Sequence, residues 1–416
     1  LHMRPSAVPE RTLRLSLTWG LGRVAAVLIF LLFSTGLMLK FAYQASPGKA
    51  YSSILYLIDQ VPFGRLLRNM HRWSANGLIF VVFLHFLRVF YTSAFTAPRQ
   101  FNWIIGLCLF GVVVFSNFTG YLLPWDQIAY WAITISTSML DYIPGVGLGL
   151  KKWLLGGTEP GPNTLMNFYA IHTAILPALL LFFVPFHFWR IRKAKGLVIP
   201  RSPGEELGPE LKMANAVPHL VVRDLALTLV VIATVLLAAM FFDAPLADQA
   251  NPGLSPNPTK APWYFMGIQE MLMHFHPVFA LLVIPALLVL GLLLVPYFNY
   301  EADTTGVWFN SVLGRKLALV SILVGVVLTV AAVLLDEFVF SAAMDGPATV
   351  VYNGLVPFTL ALIICIGYFL LISKYFDATS NETIQALFTL LITSYEVLTI
   401  VGIWFRGPGK QIMWTP

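Results

Sequence analysis

Nine apolar stretches, each long enough to cross a lipid bilayer, dominate this sequence. They fall near residues 20–41, 75–92, 103–123, 168–189, 223–242, 277–297, 316–335, 353–373 and 384–404, the last being the weakest. A transmembrane helix needs about 20 mainly apolar residues. Because lipid offers no hydrogen-bond partners, the backbone N–H and C=O groups of such a segment must bond to one another, as they do in a helix. With 58% of its residues hydrophobic and 11% charged, the chain is excluded from the class of soluble domains. We predict an all-α polytopic membrane protein with eight or nine transmembrane helices.

Charged residues next to these stretches predict the orientation in the membrane. Arg11, Arg14, Arg190, Arg192, Lys193 and Lys195 flank the first and fourth stretches, whereas Asp243, Asp248, Asp336 and Glu337 follow the fifth and seventh. By the positive-inside rule, the N-terminus and segment 190–222 are cytoplasmic. We therefore expect a multi-pass protein of a bacterial cytoplasmic (inner) membrane. The net charge of +6 belongs largely to this basic side and requires no nucleic acid.

Two pairs of histidines share the interior of two predicted helices. His71 and His85 are fourteen residues apart, and His172 and His187 are fifteen apart. Such steps rise about 21–22 Å and return to within about 40–60° of the starting face. Each helix thus carries one imidazole near each side of the membrane, at matching depths. Two levels of paired imidazoles predict two non-covalent b-type haems, each iron held between two histidines. Alternatively, such histidines only form hydrogen bonds or line a cavity.

Glycines and arginines accompany the histidines. Gly22 and Gly36, and likewise Gly106 and Gly120, are fourteen residues apart on the first and third helices. A glycine lets a haem edge approach the backbone, although small residues also favour ordinary helix packing. Arginines near the histidines are candidates for pairing with haem propionates, or else serve as interfacial anchors: they are Arg68, Arg72 and Arg88.

Four segments resemble cytochrome b of the Rieske/cytochrome b (bc and b6f) complexes. They are HRWSANGLIFVVFLHFLRVFYTSAF from His71, TGYLLPWDQIAYWA from Thr119, TLMNFYAIHTAILPALLLFFVPFHFWRIRKAKG from Thr164 and APWYF from Ala261. The fifteen-residue histidine step and the LPWDQ sequence resemble the b6 branch. The resemblance implies that His71 and His172 hold a low-potential haem on the periplasmic side. It also implies that His85 and His187 hold a high-potential haem on the cytoplasmic side.

The resemblance implies a fused chain with three parts. Residues 1–200 correspond to a cytochrome b6-like di-haem four-helix domain, and residues 201–340 to a subunit IV-like quinol-site domain. Residues 341–416 form a C-terminal extension with one or two further membrane helices. The function implied is that of the electron-transfer subunit of a quinol–cytochrome c reductase-type enzyme, which couples electron transfer between two quinone sites to proton translocation. Implied partners are quinone, a Rieske-type iron–sulfur protein and c-type cytochrome subunits in a dimeric complex.

Two positions depart from the family pattern. The cysteine with which b6 proteins tether a third haem is replaced by Gly20, so we expect no covalent haem. The family's Pro-Glu-Trp-Tyr motif becomes Ala261-Pro262-Trp263-Tyr264, which lacks the glutamate that takes a proton from quinol. Trp263 and Tyr264 would still form an aromatic wall. Quinol oxidation releases protons and needs an acceptor, for which Glu270 is the first choice and Asp126, His274 and His276 are others. These residues otherwise belong to a solvated periplasmic loop.

A second polar cluster marks the start of the fifth helix. His219, Arg223 and Asp224 lie at the cytoplasmic end, where a quinone being reduced needs proton donors. Arg223 and Asp224 resemble the family's basic–acidic pair at the quinone-reducing site. Alternatively they form an ion pair at the membrane boundary.

Two other functions remain open at the sequence level. Pro262 in place of the glutamate favours a non-bifurcating haem wire that links a periplasmic dehydrogenase or hydrogenase to the quinone pool. A haem-free transporter or structural anchor is the third class, but it leaves four aligned histidines unexplained. The tail FRGPGKQIMWTP is typical of an interfacial cap, and a docking surface for another subunit is the use we expect for the C-terminal extension.

Overall fold

Nine helices with the length and composition of membrane spans occur in the part of the chain that the structure describes. A computed structural model of the protein describes residues 6–200, 212–300, 305–340 and 350–413; Trp414 of the tail lies outside these ranges. The predicted all-α membrane fold is confirmed, and the weakest apolar stretch is a full helix. We number the spans 1 to 9: Leu21–Leu39, Gly64–Tyr91, Gln100–Tyr121, Pro162–Lys193, Ala216–Phe241, Phe279–Tyr297, Val312–Val339, Val351–Tyr375 and Ser380–Phe405.

Shorter elements connect the spans. One two-stranded antiparallel sheet pairs Ala7–Pro9 with Met213–Asn215, with Ala7 opposite Asn215. The short helices are Glu10–Leu13, Leu15–Thr18, Ala50–Asp59, Gln127–Ser138, Met139–Tyr142, Gly147–Leu155, Trp263–Phe265, Met266–His274 and Pro408–Lys410.

Helix starts follow local chemistry where the loops supply a cap. Thr379 and Glu382 form a capping box: the Thr379 hydroxyl accepts from the Glu382 N–H, and Glu382 accepts from the Thr379 N–H. The Ser311 hydroxyl accepts from the Gly314 N–H at 3.0 Å. These contacts satisfy N–H groups that a helix leaves without intrahelical partners. They place the starts of spans 7 and 9 beside one another, since Ser311 also donates to Glu382.

The described residues form two compact units. Unit 1 contains the described residues of Leu1–Thr134, Lys152–Pro252 and Thr304–Val307; unit 2 contains those of Ile135–Lys151, Gly253–Asp303 and Trp308–Pro416. Spans 1 to 5 belong to unit 1 and spans 6 to 9 to unit 2. The boundaries predicted near residues 200 and 340 divide the chain by its resemblance to cytochrome b6 and subunit IV, and they stay a prediction.

Unit 1 is a bundle in which span 2 packs on spans 1 and 5, and span 3 packs on span 4. A buried apolar cluster at one end includes Leu122, Trp125, Ile133, Leu165 and Phe168. This cluster joins the end of span 3 to the start of span 4. Span 2 and span 4, which carry the histidines, thus each pack on at least one other span of unit 1.

Unit 2 is built around the packing of span 9 on span 7. A Cβ added to Gly325 would lie 3.1 Å from the Leu390 carbonyl oxygen, so glycine permits a close approach of the two helices. The buried hydroxyls of Ser321 and Tyr368 are hydrogen-bonded at 2.7 Å, which satisfies both inside an apolar cluster. Helix Met266–His274 also packs on span 9.

Candidate functional site

One histidine from span 2 and one from span 4 face each other inside unit 1. The ring centres of His71 and His172 are 6.3 Å apart and their planes make an angle of 77°. Two imidazoles that share a metal through bonds of about 2.0–2.1 Å have ring centres roughly 6 Å apart. His71 and His172 are therefore the residues that could hold one haem iron between them.

Two threonines hold the rings of this pair. Thr35 Oγ1 lies 2.9 Å from His71 Nδ1, and Thr119 Oγ1 lies 3.1 Å from His172 Nδ1. Occupying Nδ1 leaves Nε2 for a metal and fixes the orientation of the ring. We did not predict these threonines from the sequence, although a signal existed: each directly precedes a glycine, in the repeated dipeptide Thr35-Gly36 and Thr119-Gly120.

All four predicted glycines lie against the histidines. A Cβ added to Gly36 would be 3.1 Å from His71 Cε1, and one added to Gly120 would be 2.5 Å from His172 Cε1. The corresponding distances are 3.4 Å from Gly22 to His85 and 3.6 Å from Gly106 to His187. The fourteen-residue glycine interval thus follows the histidine interval because each glycine makes room for one imidazole. Gly20 has a left-handed backbone (φ 65°), which suits glycine.

The second histidine pair lies fourteen residues further along span 2 and fifteen residues further along span 4. The ring of His85 lies against Gly22 of span 1, and the ring of His187 lies against Gly106 of span 3. Arg88 Nη2 and Arg72 Nε are buried without a hydrogen-bond partner among the described residues. Unpaired buried donors are costly and indicate a polar group that these side chains would receive. The two cradles and these donors fit haem with propionate side chains.

The three predicted arginines have different surroundings. Arg68 donates from Nη1 to the Ala244 carbonyl and from Nη2 to the Pro245 carbonyl, both at 2.7 Å. Arg72 lies over the ring of Tyr121 at 5.1 Å. Arg88 is 5% exposed and donates from Nε to the Leu17 carbonyl at 3.0 Å. Arg72 and Arg88 keep unused donors for an anionic partner, whereas two donors of Arg68 are engaged by the loop after span 5.

Arg223 and Asp224, at the start of span 5, have separate partners. Arg223 donates to the Leu13 carbonyl, and Asp224 forms an ion pair with Arg23 of span 1. His219 is exposed in the turn that opens span 5. The structure therefore brings Arg23, which we did not single out, to Asp224. The side chains of Arg23 and Asp224 are 32% and 27% exposed, and His219 is also exposed, so all three are accessible at this end of unit 1.

Asp126 occupies a structural position in unit 1. It is 7% exposed, and its carboxylate accepts from the Ala129 N–H at 2.8 Å and from the Ala247 N–H at 3.0 Å. These contacts cap helix Gln127–Ser138 and fix the loop after span 5. Both carboxylate oxygens are thus engaged by the backbone.

Trp263 and Tyr264, the aromatic residues of the predicted quinol loop, lie in the short helix Trp263–Phe265 that precedes helix Met266–His274. The rings of Trp263 and Tyr264 are perpendicular at 5.6 Å, and Trp263 is 41% exposed. The Tyr395 hydroxyl of span 9 donates to the Tyr264 carbonyl at 3.0 Å. His276 lies further on, where its N–H donates to the Asn353 carbonyl and its ring contacts Tyr142 at 5.9 Å. The loop is therefore anchored to spans 8 and 9.

Glu270 lies in a buried charged cluster, which we define as Glu270, His274, Asp336, Glu337 and Arg406. Arg406 donates to Glu270 from Nε at 3.0 Å and from Nη2 at 2.6 Å, and to Glu337 from Nη1 at 2.8 Å. His274 contacts Asp336 at 2.7 Å through Nδ1 and Glu270 at 3.2 Å through Nε2. Arg406 is 136 residues from Glu270 along the chain, and no local pattern indicates that the two side chains meet.

The charged cluster shifts the pKa values of Glu270 and His274, its two members on helix Met266–His274. Burial opposes ionisation of Glu270, but hydrogen bonds from His274 and Arg406 outweigh it and hold the pKa of Glu270 below its ordinary value. Burial likewise opposes the charge of His274, yet hydrogen bonds to Asp336 and Glu270 raise its pKa to about 9. At neutral pH the cluster thus contains an imidazolium between two carboxylates.

The raised pKa of His274 predicts a pH-dependent stability. A group whose pKa is 6.5 when unfolded and about 9 when folded stabilises the fold fully below pH 6.5, and this stabilisation is lost as the pH rises through 9. We expect the unfolding temperature in detergent to fall more steeply over this window in the wild type than in His274→Gln. Equal slopes in the two proteins would show that His274 is not held as an imidazolium.

Comparison with known proteins gives a family match for unit 1's main segment. Residues 9–195 match the family model described as cytochrome b/b6/petB. Cytochrome b6 of Acaryochloris marina is 42% identical over 173 residues, which are 42% of this chain and 80% of that protein. Cytochrome b6 of Synechococcus elongatus is 39% identical over the same shares.

A solved structure extends the likeness of fold along almost the whole chain. It is described as a hyperthermophilic respiratory Complex III and superposes with a TM-score of 0.66. The match covers 92% of this chain and 91% of that one, at 21% sequence identity. The arrangement of nine spans therefore follows a known fold.

Proposed function

Because the chain belongs to the cytochrome b/b6 family, whose members bind b-type haem and transfer electrons in membranes, we propose that it is the di-haem subunit of a quinol oxidoreductase complex. In this role it passes electrons across the membrane between two quinone sites and couples this transfer to proton translocation. The acceptors are a Rieske-type iron–sulfur protein and a c-type cytochrome in a dimeric complex. The location is a bacterial inner membrane with the N-terminus in the cytoplasm.

The observation that carries the proposal is the pair His71 and His172 with rings 6.3 Å apart. Threonines at Nδ1 and glycines against Cε1 support both rings. Haem held there would supply one-electron transfer without an open position for a substrate. The chain's own part is to orient the imidazoles, exclude water with nine apolar spans and offer Arg72 and Arg88 to anionic groups.

The loop at residues 261–276 is the proposed quinol-oxidising segment. Trp263 and Tyr264 supply the aromatic wall, Glu270 takes up a proton, and His274 and His276 are the other candidate acceptors. The proposed quinone-reducing side consists of His219, Arg223 and Asp224 at the start of span 5. Arg23 joins this second set through its ion pair with Asp224.

A second candidate function rests on Pro262 and on the ion pair of Glu270. A proline cannot accept the quinol proton, and Arg406 holds Glu270 as a weak base. A haem wire between a periplasmic dehydrogenase or hydrogenase and the quinone pool needs no such acceptor. Presence of a Rieske protein in the purified complex separates the two functions.

Purification of the intact complex from its native membrane tests the proposal. We expect two haems per chain by pyridine haemochrome analysis, both removed by acidic acetone because neither is covalent. Added quinol should reduce them, and a Rieske subunit should co-purify. One haem per chain, or haem retained by the denatured chain, contradicts the di-haem assignment; the absence of quinol-driven reduction favours the haem wire.

A further inference from the structure

The charged cluster of unit 2 joins the proposed quinol loop to the C-terminal extension. Arg406 is the first residue after span 9, and its side chain is 5% exposed. It makes two contacts with Glu270 and one each with Glu337 and the Lys410 carbonyl. A buried guanidinium in this bidentate geometry is a strong and specific partner for a carboxylate.

The chain around Arg406 is anchored to the same loop. The Met413 N–H donates to the Phe405 carbonyl, which closes a hairpin around Arg406. Two contacts tie this hairpin to the loop before helix Met266–His274: Lys260 Nζ donates to the Ile403 carbonyl at 2.7 Å, and the Gly409 N–H donates to Asn257 at 2.9 Å. The end of the C-terminal extension is therefore part of the loop's own structure.

Three members of the cluster form a line of increasing exposure. The side chains of Glu270, His274 and Asp336 are 2%, 10% and 38% exposed, respectively. His274 contacts Glu270 through Nε2 and Asp336 through Nδ1. An imidazole bonded through both nitrogens joins a buried carboxylate to one at the end of span 7, where charged residues mark the membrane boundary.

We propose that Glu270, His274 and Asp336 form a proton path out of the quinol loop, and that Arg406 is the positioning residue that fixes its inner end. The inference rests on the proposed oxidation of quinol at this loop. One proton moves per transfer: Glu270 takes it from the quinol hydroxyl, His274 releases a proton to Asp336 and regains one from Glu270, and Asp336 passes its proton to water. No electrons pass through the cluster, which returns to its starting charge.

The charges around the path favour this direction. With His274 protonated, the five side chains carry three negative and two positive charges, so the cluster is a net anion that attracts one proton. Lys260 and Lys410 line the same small cavity as Glu270 and Arg406 and oppose retention of that proton on Glu270. The side chain of Asp336 is the most exposed of the three along the path, so it is the member from which water can take the proton.

The first test removes the positioning residue in the intact complex. Arg406→Gln takes a positive charge and two hydrogen bonds from Glu270, which raises the pKa of that carboxylate. The rate of quinol-driven haem reduction falls at acid pH when Glu270 is protonated, and in Arg406→Gln the midpoint of this fall should therefore move to higher pH. In Arg406→Lys the positive charge is kept, so the midpoint should lie between those of the wild type and Arg406→Gln. Tyr368→Phe, which breaks the buried hydroxyl pair with Ser321 in the same unit, should leave the pH profile unchanged.

The second test asks whether Glu270 and His274 act in one path. His274→Gln should slow quinol-driven haem reduction by about 10²-fold, the usual lower figure for a lost proton-transfer group. The double variant Glu270→Gln/His274→Gln should be no slower than the slower single variant, because steps in one path do not add. Imidazole added to His274→Ala should restore part of the rate.

The outcomes separate this inference from the proposed function. If the wild-type complex reduces its haems with quinol, but Arg406→Gln has the wild-type pH profile or the two single effects multiply, the proton path is wrong while quinol oxidation stands. If the wild type does not oxidise quinol, the proposed function fails first and the path fails with it. Haem content by pyridine haemochrome, measured in every variant, shows that unit 1 is intact.

Discussion

His85→Ala should bind one haem per chain where the wild type binds two. The imidazole of His85 is one of two axial ligands proposed for the haem that it shares with His187, and a methyl side chain cannot replace a metal bond. His71 and His172 keep their own contacts with Thr35 and Thr119, so the other haem should remain at least in part. Pyridine haemochrome analysis of the purified complex measures the ratio of haem to chain.

His219→Ala is the matched control for this loss of haem. Its side chain is exposed at the start of span 5, and it has no place in either histidine pair. It should retain two haems. Two haems in His85→Ala would mean that His85 is not a ligand, and the bis-histidine assignment of that pair would have to be abandoned.

Glu270→Gln should slow quinol-driven haem reduction by about 10²-fold or more, the usual loss when a proton acceptor is removed. Glutamine has nearly the same shape as glutamate but cannot take up the quinol proton. It can still accept hydrogen bonds from Arg406, so the hairpin that follows span 9 should keep its place. Stopped-flow reduction of the haems by added quinol measures the rate, and the haem content should not change.

Glu396→Gln provides a comparison for loss of a carboxylate in the same unit. Glu396 is exposed on span 9, outside the charged cluster, and its replacement should leave the rate near that of the wild type. A wild-type rate in Glu270→Gln would exclude Glu270 as the acceptor and leave His274 and His276 as candidates. A similar loss in both variants would point to a general effect of charge in unit 2.

The spans and the histidine pairs were predictable because their signals are local and periodic. Hydropathy over about 20 residues locates a span, and a fourteen-residue interval between histidines places both on one helix face. The glycines repeat at the same interval for a steric reason that the structure makes visible. The distance between His71 and His172 required the fold, since each ring lies on a different span.

Partners that are distant along the chain were not predictable. Arg406 and Glu270 are 136 residues apart, and Arg23 and Asp224 are 201 apart. A single charged residue at a span end is typical of an interfacial anchor, and nothing in its neighbourhood shows which carboxylate it will meet. For the same reason no local pattern indicates the partners that the fold gives to Asp224 and Arg223, which are Arg23 and the Leu13 carbonyl, respectively.

One turn of span 4 differs from the rest of the helix. Residues Ile171–Ile175 form a π-helical turn that contains His172, and the Leu176 N–H donates to the Ile171 carbonyl five residues back. Pro177 follows and lacks the N–H that a regular helix would use to bond the Thr173 carbonyl. A turn closed in this way holds one residue more than a regular α-helical turn.

This wide turn accounts for the unequal histidine intervals of the two spans. Fourteen residues separate the histidines of span 2 and fifteen those of span 4, and the π turn takes up the additional residue. Turns of this kind occur mostly singly inside α-helices and frequently at functional sites. The additional residue of span 4 is thus taken up within the one turn that contains His172, while the helix on either side of that turn keeps regular α-helical hydrogen bonding.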